Sequence, residues 1–181
     1  GNPILHPSRI FGMLSDHVGD LYDREYLFYE EWDEKSSDVL IQCDTEFQQI
    51  VNKLPIHQDE IPCLLDYYES TDVQSLTQKI RSIQAFKGIK MCMIPQENGQ
   101  FAIDYSNRYF TEDIPYGLLI IKSLGLLLEV PTPTIDQVIY WTQEHMGKCY
   151  LVEGQLTGKD IKESGVVSNY QIHSLTSLLN L

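Results

Sequence analysis

Ile114-Pro115-Tyr116-Gly117-Leu118-Leu119-Ile120-Ile121-Lys122-Ser123-Leu124-Gly125-Leu126-Leu127-Leu128-Glu129 is the most apolar stretch of the chain. A helix apolar nearly all round belongs at the centre of a bundle. Just ahead stands Asn107-Arg108-Tyr109-Phe110-Thr111-Glu112-Asp113. Thr111 or Asp113 followed by Pro115 and a long apolar run is how a helix N-terminus is built. Just behind, Val130-Pro131-Thr132-Pro133 is a stiff link. Thr134, with Gln137 three residues on, predicts a capping box for a helix to about Met146, and Gly147 suits its C-terminal end.

Working outward, the same helical period recurs. Ile10, Phe11, Leu14, Val18, Leu21, Tyr22, Tyr26 and Tyr29 step mostly by three and four and predict a helical face from Ile10 to Trp32, against which Gly12 and Gly19 count. Leu40, Cys43, Phe47, Ile50, Val51 and Leu54 line one side of a helix over 39–54, with Ser36 and Ser37 available as caps and Pro55 ending it. Shorter helices are expected around Cys63–Glu69 and from Asp72 through Ala85. Residues 88–104 break the pattern: Pro95 and Glu97-Asn98-Gly99-Gln100 predict a hairpin or two extended arms. Thr157–Asp160 and Tyr170–Leu179 can open short helices. The two prolines in Gly1–Pro7 predict an extended or turning start. Strands are too few for a sheet-based fold, so the class is all-α, a single domain over residues 1–181.

The chain has 181 residues, 43% hydrophobic and 22% charged, the proportions of a globular domain. A formal net charge of −13 argues against nucleic acid or an anionic membrane surface as partner. No segment reaches the roughly 20 apolar residues needed to span a bilayer. Cys43, Cys63, Cys92 and Cys149 form no zinc-type cluster and read as buried small apolar residues of a cytoplasmic protein, so no metal site is expected. The start, Gly1-Asn2-Pro3, carries no secretory pattern and no initiator Met, which suggests a chain beginning in mid-protein.

Two segments carry candidate chemistry. His6, in Asn2-Pro3-Ile4-Leu5-His6-Pro7, is the residue type that serves as acid or base near neutral pH. Asp113 ends the second segment, where capping alone would explain it. Together, Asn-Pro-x-x-His-Pro near the start and Arg108-Tyr109-Phe110-Thr111-Glu112-Asp113-Ile114-Pro115-x-Gly117-Leu118 about a hundred positions later resemble the opine dehydrogenases, the octopine and nopaline enzymes among them. Val130-Pro131-Thr132-Pro133-Thr134, the Ile135–Trp141 run and Phe28-Tyr29-Glu30-Glu31 fit the same pattern, over roughly residues 1–150.

The resemblance implies a C-terminal helical bundle like that of 6-phosphogluconate dehydrogenase, paired with an N-terminal Rossmann domain that binds NAD or NADP. This chain has no GxGxxG fingerprint, so that domain is not in it, and the isolated chain is expected to be inactive. The implied reaction condenses an amino acid with an α-keto acid and reduces the imine. His6 matches the family's acid/base and Asp113 the carboxylate that pairs with it. Arg108 matches an arginine assigned here to a substrate carboxylate, with a surface salt bridge as its ordinary alternative. Asn2 lies near the reacting centre by the same match. Lys122 is expected to snorkel to the surface. Tyr105, Tyr109 and Tyr116 suit a pocket or plain packing equally, and His17, His57, His145 and His173 have no partner at a telling spacing. Two other functions stay open: a non-catalytic helical dimerisation or interaction module, and the helical domain of a related 2-hydroxy acid dehydrogenase. A homodimer is left open too.

Overall fold

A computed structural model of the chain describes residues 2–56 and 60–180. Helices dominate it: α1 (Asn2–Leu14), α2 (Glu34–Val51), α3 (Leu64–Tyr67), α4 (Val73–Ser82), α5 (Arg108–Thr111), α6 (Leu119–Leu127), α7 (Pro133–His145) and α8 (Leu175–Leu179). A π-helical segment, Ile114–Leu118, leads into α6. Three short strands, β1 (Leu21–Tyr22), β2 (Met93–Pro95) and β3 (Phe101–Ile103), form one antiparallel sheet in the order β1-β3-β2. The expected all-α bundle is the architecture, and the hairpin expected within 88–104 is β2–β3, with Pro95 opposite Phe101. Gly99 takes φ +80° in its turn, a conformation that glycine adopts without strain. His57 lies outside the described residues.

The start of the chain departs from its sequence reading. Residues 2–14 are helical despite Pro3 and Pro7. Pro3 sits in the first turn, where an N–H has no partner anyway, and Pro7 removes one intrahelical bond. Burial compensates: Ile4, Leu5, Ile10 and Leu14 are all in the core, each contributing roughly 1.5–3 kcal/mol. Thus α1, as much as α6, is central to the bundle. It can lie against α2 because Gly12 has no side chain; a Cβ there would stand 2.6 Å from both the Cα and the Oγ of Ser36.

The helix predicted over 10–32 ends at Leu14. Residues 15–33 instead run as an irregular segment containing β1. What fixes this segment is Arg9, 1% exposed. Its Nε donates to Phe28 O at 2.8 Å, and its terminal nitrogens donate to Glu31 O at 2.7 Å, Asp33 Oδ2 at 3.0 Å and Ser36 Oγ at 3.2 Å. Carbonyls that a helix would have satisfied internally are satisfied by one guanidinium fork. Phe28, Tyr29 and Trp32 can then enter the core, although their spacing suggested a helix.

Helix α2 is capped by Asp33, which accepts from Ser36 N at 2.7 Å, and not by Ser36 or Ser37. Those serines are buried; Ser37 Oγ accepts from Trp32 Nε1 at 2.9 Å and pairs with Thr77 at 2.6 Å, tying α2 to α4. Asp72 with Ser75 makes a reciprocal capping box on α4. The box expected at Thr134 is absent. Helix α7 begins at Pro133, and the N–H groups of Thr134 and Ile135 donate to the buried carboxylate of Glu46 from α2, at 2.7 and 3.0 Å. A carboxylate at a helix N-terminus is favourable with the dipole, and here a distant helix supplies it. Gly147 closes α7 at φ +63°, as its position suggested.

Lys122 does not snorkel. It is 4% exposed and donates to Thr132 Oγ1 at 3.0 Å and to Asp136 at 2.9 Å, linking α6 to the start of α7. Cys43 and Cys92 are buried as expected, whereas Cys63 and Cys149 are only partly so. Beyond α7 the chain is held by side-chain bonds. Gln143 Oε1 accepts from Tyr150 N and Leu151 N, both at 2.9 Å, and its Nε2 donates to Leu151 O at 3.0 Å. The short helices expected here are 3-10 turns at Ile161–Glu163 and Val167–Tyr170, followed by α8.

Gly12→Ala should therefore overpack the α1–α2 contact and lower stability by about 1–3 kcal/mol, read as a shift in the urea midpoint at unchanged slope. Arg9→Ala should leave the Phe28 and Glu31 carbonyls without partners and lower stability by roughly 2–4 kcal/mol. New proteolytic cleavage within residues 15–33 is the accompanying sign; uniform protease resistance would count against the fork as the organiser of that segment.

Candidate active site

His6 sits one turn into α1, and Asp113 opens the π-helical segment. Both are buried, at 5% and 8% exposure. The chain reaches Asp113 through α5, whose cap is Asn107, accepting from Tyr109 N at 3.1 Å. After Thr111 the ladder widens: Asp113 N donates to Arg108 O at 3.2 Å and Leu118 N donates to Asp113 O at 2.8 Å, both five residues apart. Pro115 falls within this wide turn, and π turns of this kind recur at functional sites. The Asp113 side chain makes no capping bond. It is turned to α1 instead.

What brings α1 close is Gly117. A Cβ at this position would stand 2.8 Å from the Cβ of Pro3. With hydrogen there, the first turn of α1 rests directly on the π-helical segment, and His6, one turn further along, meets Asp113. The Nδ1–Oδ2 distance is 2.7 Å across 107 positions of sequence. The two residues that the family resemblance implied as a pair are hydrogen-bonded to each other.

The pair has a third member. The Tyr29 hydroxyl lies 3.0 Å from His6 Nε2. An ionised carboxylate can only accept, so the ring proton of a neutral His6 belongs on Nδ1. Nε2 then carries the lone pair, and the tyrosine O–H donates to it. Burial is the main cause that pushes the Tyr29 phenol well above its ordinary range, with Tyr109, Tyr68 and Asp113 adding to it and the Arg108 charge opposing. The phenol is therefore protonated throughout the physiological range. Phe28 meets the imidazole edge-on at 5.6 Å between ring centres, and Tyr109 lies tilted against it at 4.5 Å.

The other candidates are placed as follows. Asn2 is exposed on the first turn of α1, four residues before His6 and hence on the same face. Arg108 is also exposed, with its Nε 3.7 Å from Glu112 Oε2, a loose surface ion pair. It precedes Tyr109 and lies one turn from Asp113, so it stands beside the dyad without touching it. Tyr109 belongs to the site. Tyr105 packs on Phe110 and His145, and Tyr116 is 56% exposed. His17 stacks on Tyr22, His145 binds the Trp141 carbonyl, and His173 is exposed. No cluster of three or more metal-type ligands occurs among the described residues. Tyr29 was missed as a site residue. Phe28-Tyr29-Glu30-Glu31 stood out only as a matching motif, and nothing in its spacing pointed to His6.

Chemically, the arrangement can serve as an acid/base: a carboxylate hydrogen-bonded to a histidine can fix its tautomer and stabilise its protonated form. It is also covered. A surface hollow of about 480 Å³ is lined by Lys122, Glu129, Thr132, Asp136 and Gln155 among others, away from the dyad. No helix among the described residues is long and apolar enough to cross a membrane.

Comparison with known proteins gives the family. The family model described as NAD/NADP octopine/nopaline dehydrogenase, alpha-helical domain, matches residues 1–146. Tauropine dehydrogenase of Arabella iricolor is 32% identical, over 98% of this chain and 48% of that protein. Octopine dehydrogenase of Mizuhopecten yessoensis is 31% identical, over 97% of this chain and 46% of its own length. A solved octopine dehydrogenase with NADH and pyruvate superposes with a TM-score of 0.88 at 30% identity, covering 98% of this chain and 45% of that one. A complex of that enzyme with NADH and agmatine gives 0.89 at 29% identity, over 98% and 47%. The likeness thus runs through the C-terminal stretch that the motifs left unmatched, while the chain spans about half the length of the curated relatives it matches. The chain belongs to the octopine/nopaline dehydrogenase alpha-helical domain family.

Proposed function

We propose that this chain is the catalytic, substrate-binding domain of an opine dehydrogenase, acting with an N-terminal Rossmann domain to join an amino acid to an α-keto acid. The observation that carries the reading is the buried His6–Asp113 hydrogen bond, formed between the two residues that the motifs singled out. The described residues contain only a small antiparallel sheet, with no parallel strand–glycine turn–helix unit to hold a dinucleotide. NAD or NADP would therefore be held by the other domain, where the nicotinamide supplies a hydride. This chain's part is to bind the two substrates and to move protons. His6 takes a proton from the amine as it attacks the keto carbon and returns one as water leaves. Asp113 holds Nδ1–H so that Nε2 is the working atom. Arg108, exposed next to Tyr109, supplies a guanidinium for a substrate carboxylate in a chain of net charge −13. Asn2, one turn from His6, would contact the same substrate. We place the protein in the cytoplasm; a homodimer is open to test.

One observation favours a second reading, an interaction module without catalysis: the dyad is covered on its own domain's side by Tyr29 and Tyr109. Substitution separates the two. In the full-length protein, NADH- or NADPH-dependent turnover of pyruvate with a panel of amines (L-arginine, agmatine, small neutral and acidic amino acids) should fall on the order of 10²–10⁴-fold in His6→Gln. Wild-type turnover in that variant would leave only the module. Asp113→Asn should lose a comparable factor, because an amide can donate to Nδ1 and so move the ring proton onto Nε2. Arg108→Met should instead raise KM for the carboxylate substrate about 10–100-fold, with a smaller effect on kcat.

A further inference from the structure

The dyad has a third group on the side where its reactive lone pair lies, and that group is not a loose neighbour. The Tyr29 ring is stacked on Phe86 at 4.0 Å between centres and 18° between planes, runs parallel to Trp32 at 6.2 Å, and meets Phe28 edge-on at 4.7 Å. Its backbone is fixed from both sides, since Arg9 binds the carbonyls of Phe28 and Glu31. The ring is thereby held at one angle, and the hydroxyl can turn only about its C–O bond. At 5% exposure it has water on almost no side, and it is hydrogen-bonded to His6 Nε2.

We infer that Tyr29 is a positioning residue of the reaction: its hydroxyl holds the His6 ring from the Nε2 side as Asp113 holds it from Nδ1, keeping the imidazole at one rotation in both protonation states. A hydroxyl can do this because it both donates and accepts. It donates to the lone pair of neutral His6. When a substrate proton reaches the phenol oxygen, the phenol's own proton passes to Nε2, and the oxygen then accepts from Nε2–H. One proton enters the hydroxyl as another leaves it, so the phenol stays neutral, in keeping with a burial that disfavours the phenolate. A carboxylate alone leaves the ring free to pivot about the Nδ1 bond; a second anchor on the opposite nitrogen removes that freedom. The inference rests on the acid/base reading of His6.

The test is Tyr29→Phe in the full-length protein, which keeps the ring stack and removes one oxygen. Turnover is read with pyruvate and the panel amine that gives the highest wild-type rate. The expected result is a kcat lower by roughly 10–100-fold, with KM for both substrates within about twofold of wild type. Histidine-selective ¹⁵N NMR gives a readout that needs no substrate: the Nε2 resonance of His6 should move downfield as it loses its donor, while the resonances of His17, His145 and His173 stay in place. An unchanged His6 spectrum, or unchanged kcat, overturns the positioning role. Full activity in His6→Gln would instead bring down the acid/base reading, whatever the spectrum of Tyr29→Phe. Tyr29→Leu, which abolishes the stack, should unfold more readily than Tyr29→Phe; equal loss of melting temperature in both would mean that the hydroxyl serves stability and not orientation.

Discussion

The close approach of α1 to the π-helical segment is the constraint on which the rest of the site depends. It is made where Gly117 leaves room for Pro3. A contact this tight fixes distance and rotation together, since neither a helix turn nor a wide turn with Pro115 in it has much freedom to adjust. His6 and Asp113 lie within one turn of that contact on either side, so their hydrogen bond follows from backbone packing. It does not have to be found by two flexible side chains. A glycine in the middle of a helical run lowers intrinsic propensity, and here the loss is offset by the approach it permits. Gly12 does the same between α1 and α2. The two glycines seat α1 in the bundle at two points along its length.

Around this seat three buried charges among the described residues are answered by partners. Arg9 is met by two carbonyls, a carboxylate and a hydroxyl; Lys122 by Thr132 and Asp136; Glu46 by the first N–H groups of α7. Lys122 joins the neighbouring helices α6 and α7, Glu46 of α2 supplies the cap that α7 lacks locally, and Arg9 ties α1 to the segment leading into α2. This is how residues 28–33 are held without a helical ladder of their own. It also explains how a tyrosine from that segment comes to lie against a histidine of α1. The positioning of the site is thus built from the same polar contacts that hold the bundle.

The helices that carry a clean period were legible. Residues 39–54, 72–85, 114–129 and 134–146 were each read as helical, and the structure places α2, α4, the π segment with α6, and α7 there. Gly147 at the end of α7 is a local feature and was legible for that reason. Boundaries and caps were less so. Asp33 and Glu46 took roles that Ser36 and Thr134 suggested for themselves, because a carboxylate reaching a helix N-terminus from elsewhere in the fold leaves no mark near that terminus. Lys122 illustrates the same limit: a lysine on an apolar helix is expected to reach for water, unless an aspartate from the next helix is already in place.

The sequence by itself determined the class, the positions of the periodic helices, and the two segments in which chemistry was to be sought, because period, turn residues and motif spacing are properties of neighbours along the chain. Tertiary structure alone decided that residues 2–14 are helical despite two prolines, that 15–33 are not, and that Tyr29 faces Nε2. In each of these places local propensity was outweighed by burial and by hydrogen bonds to groups many positions away. Those terms exist only once the bundle has closed.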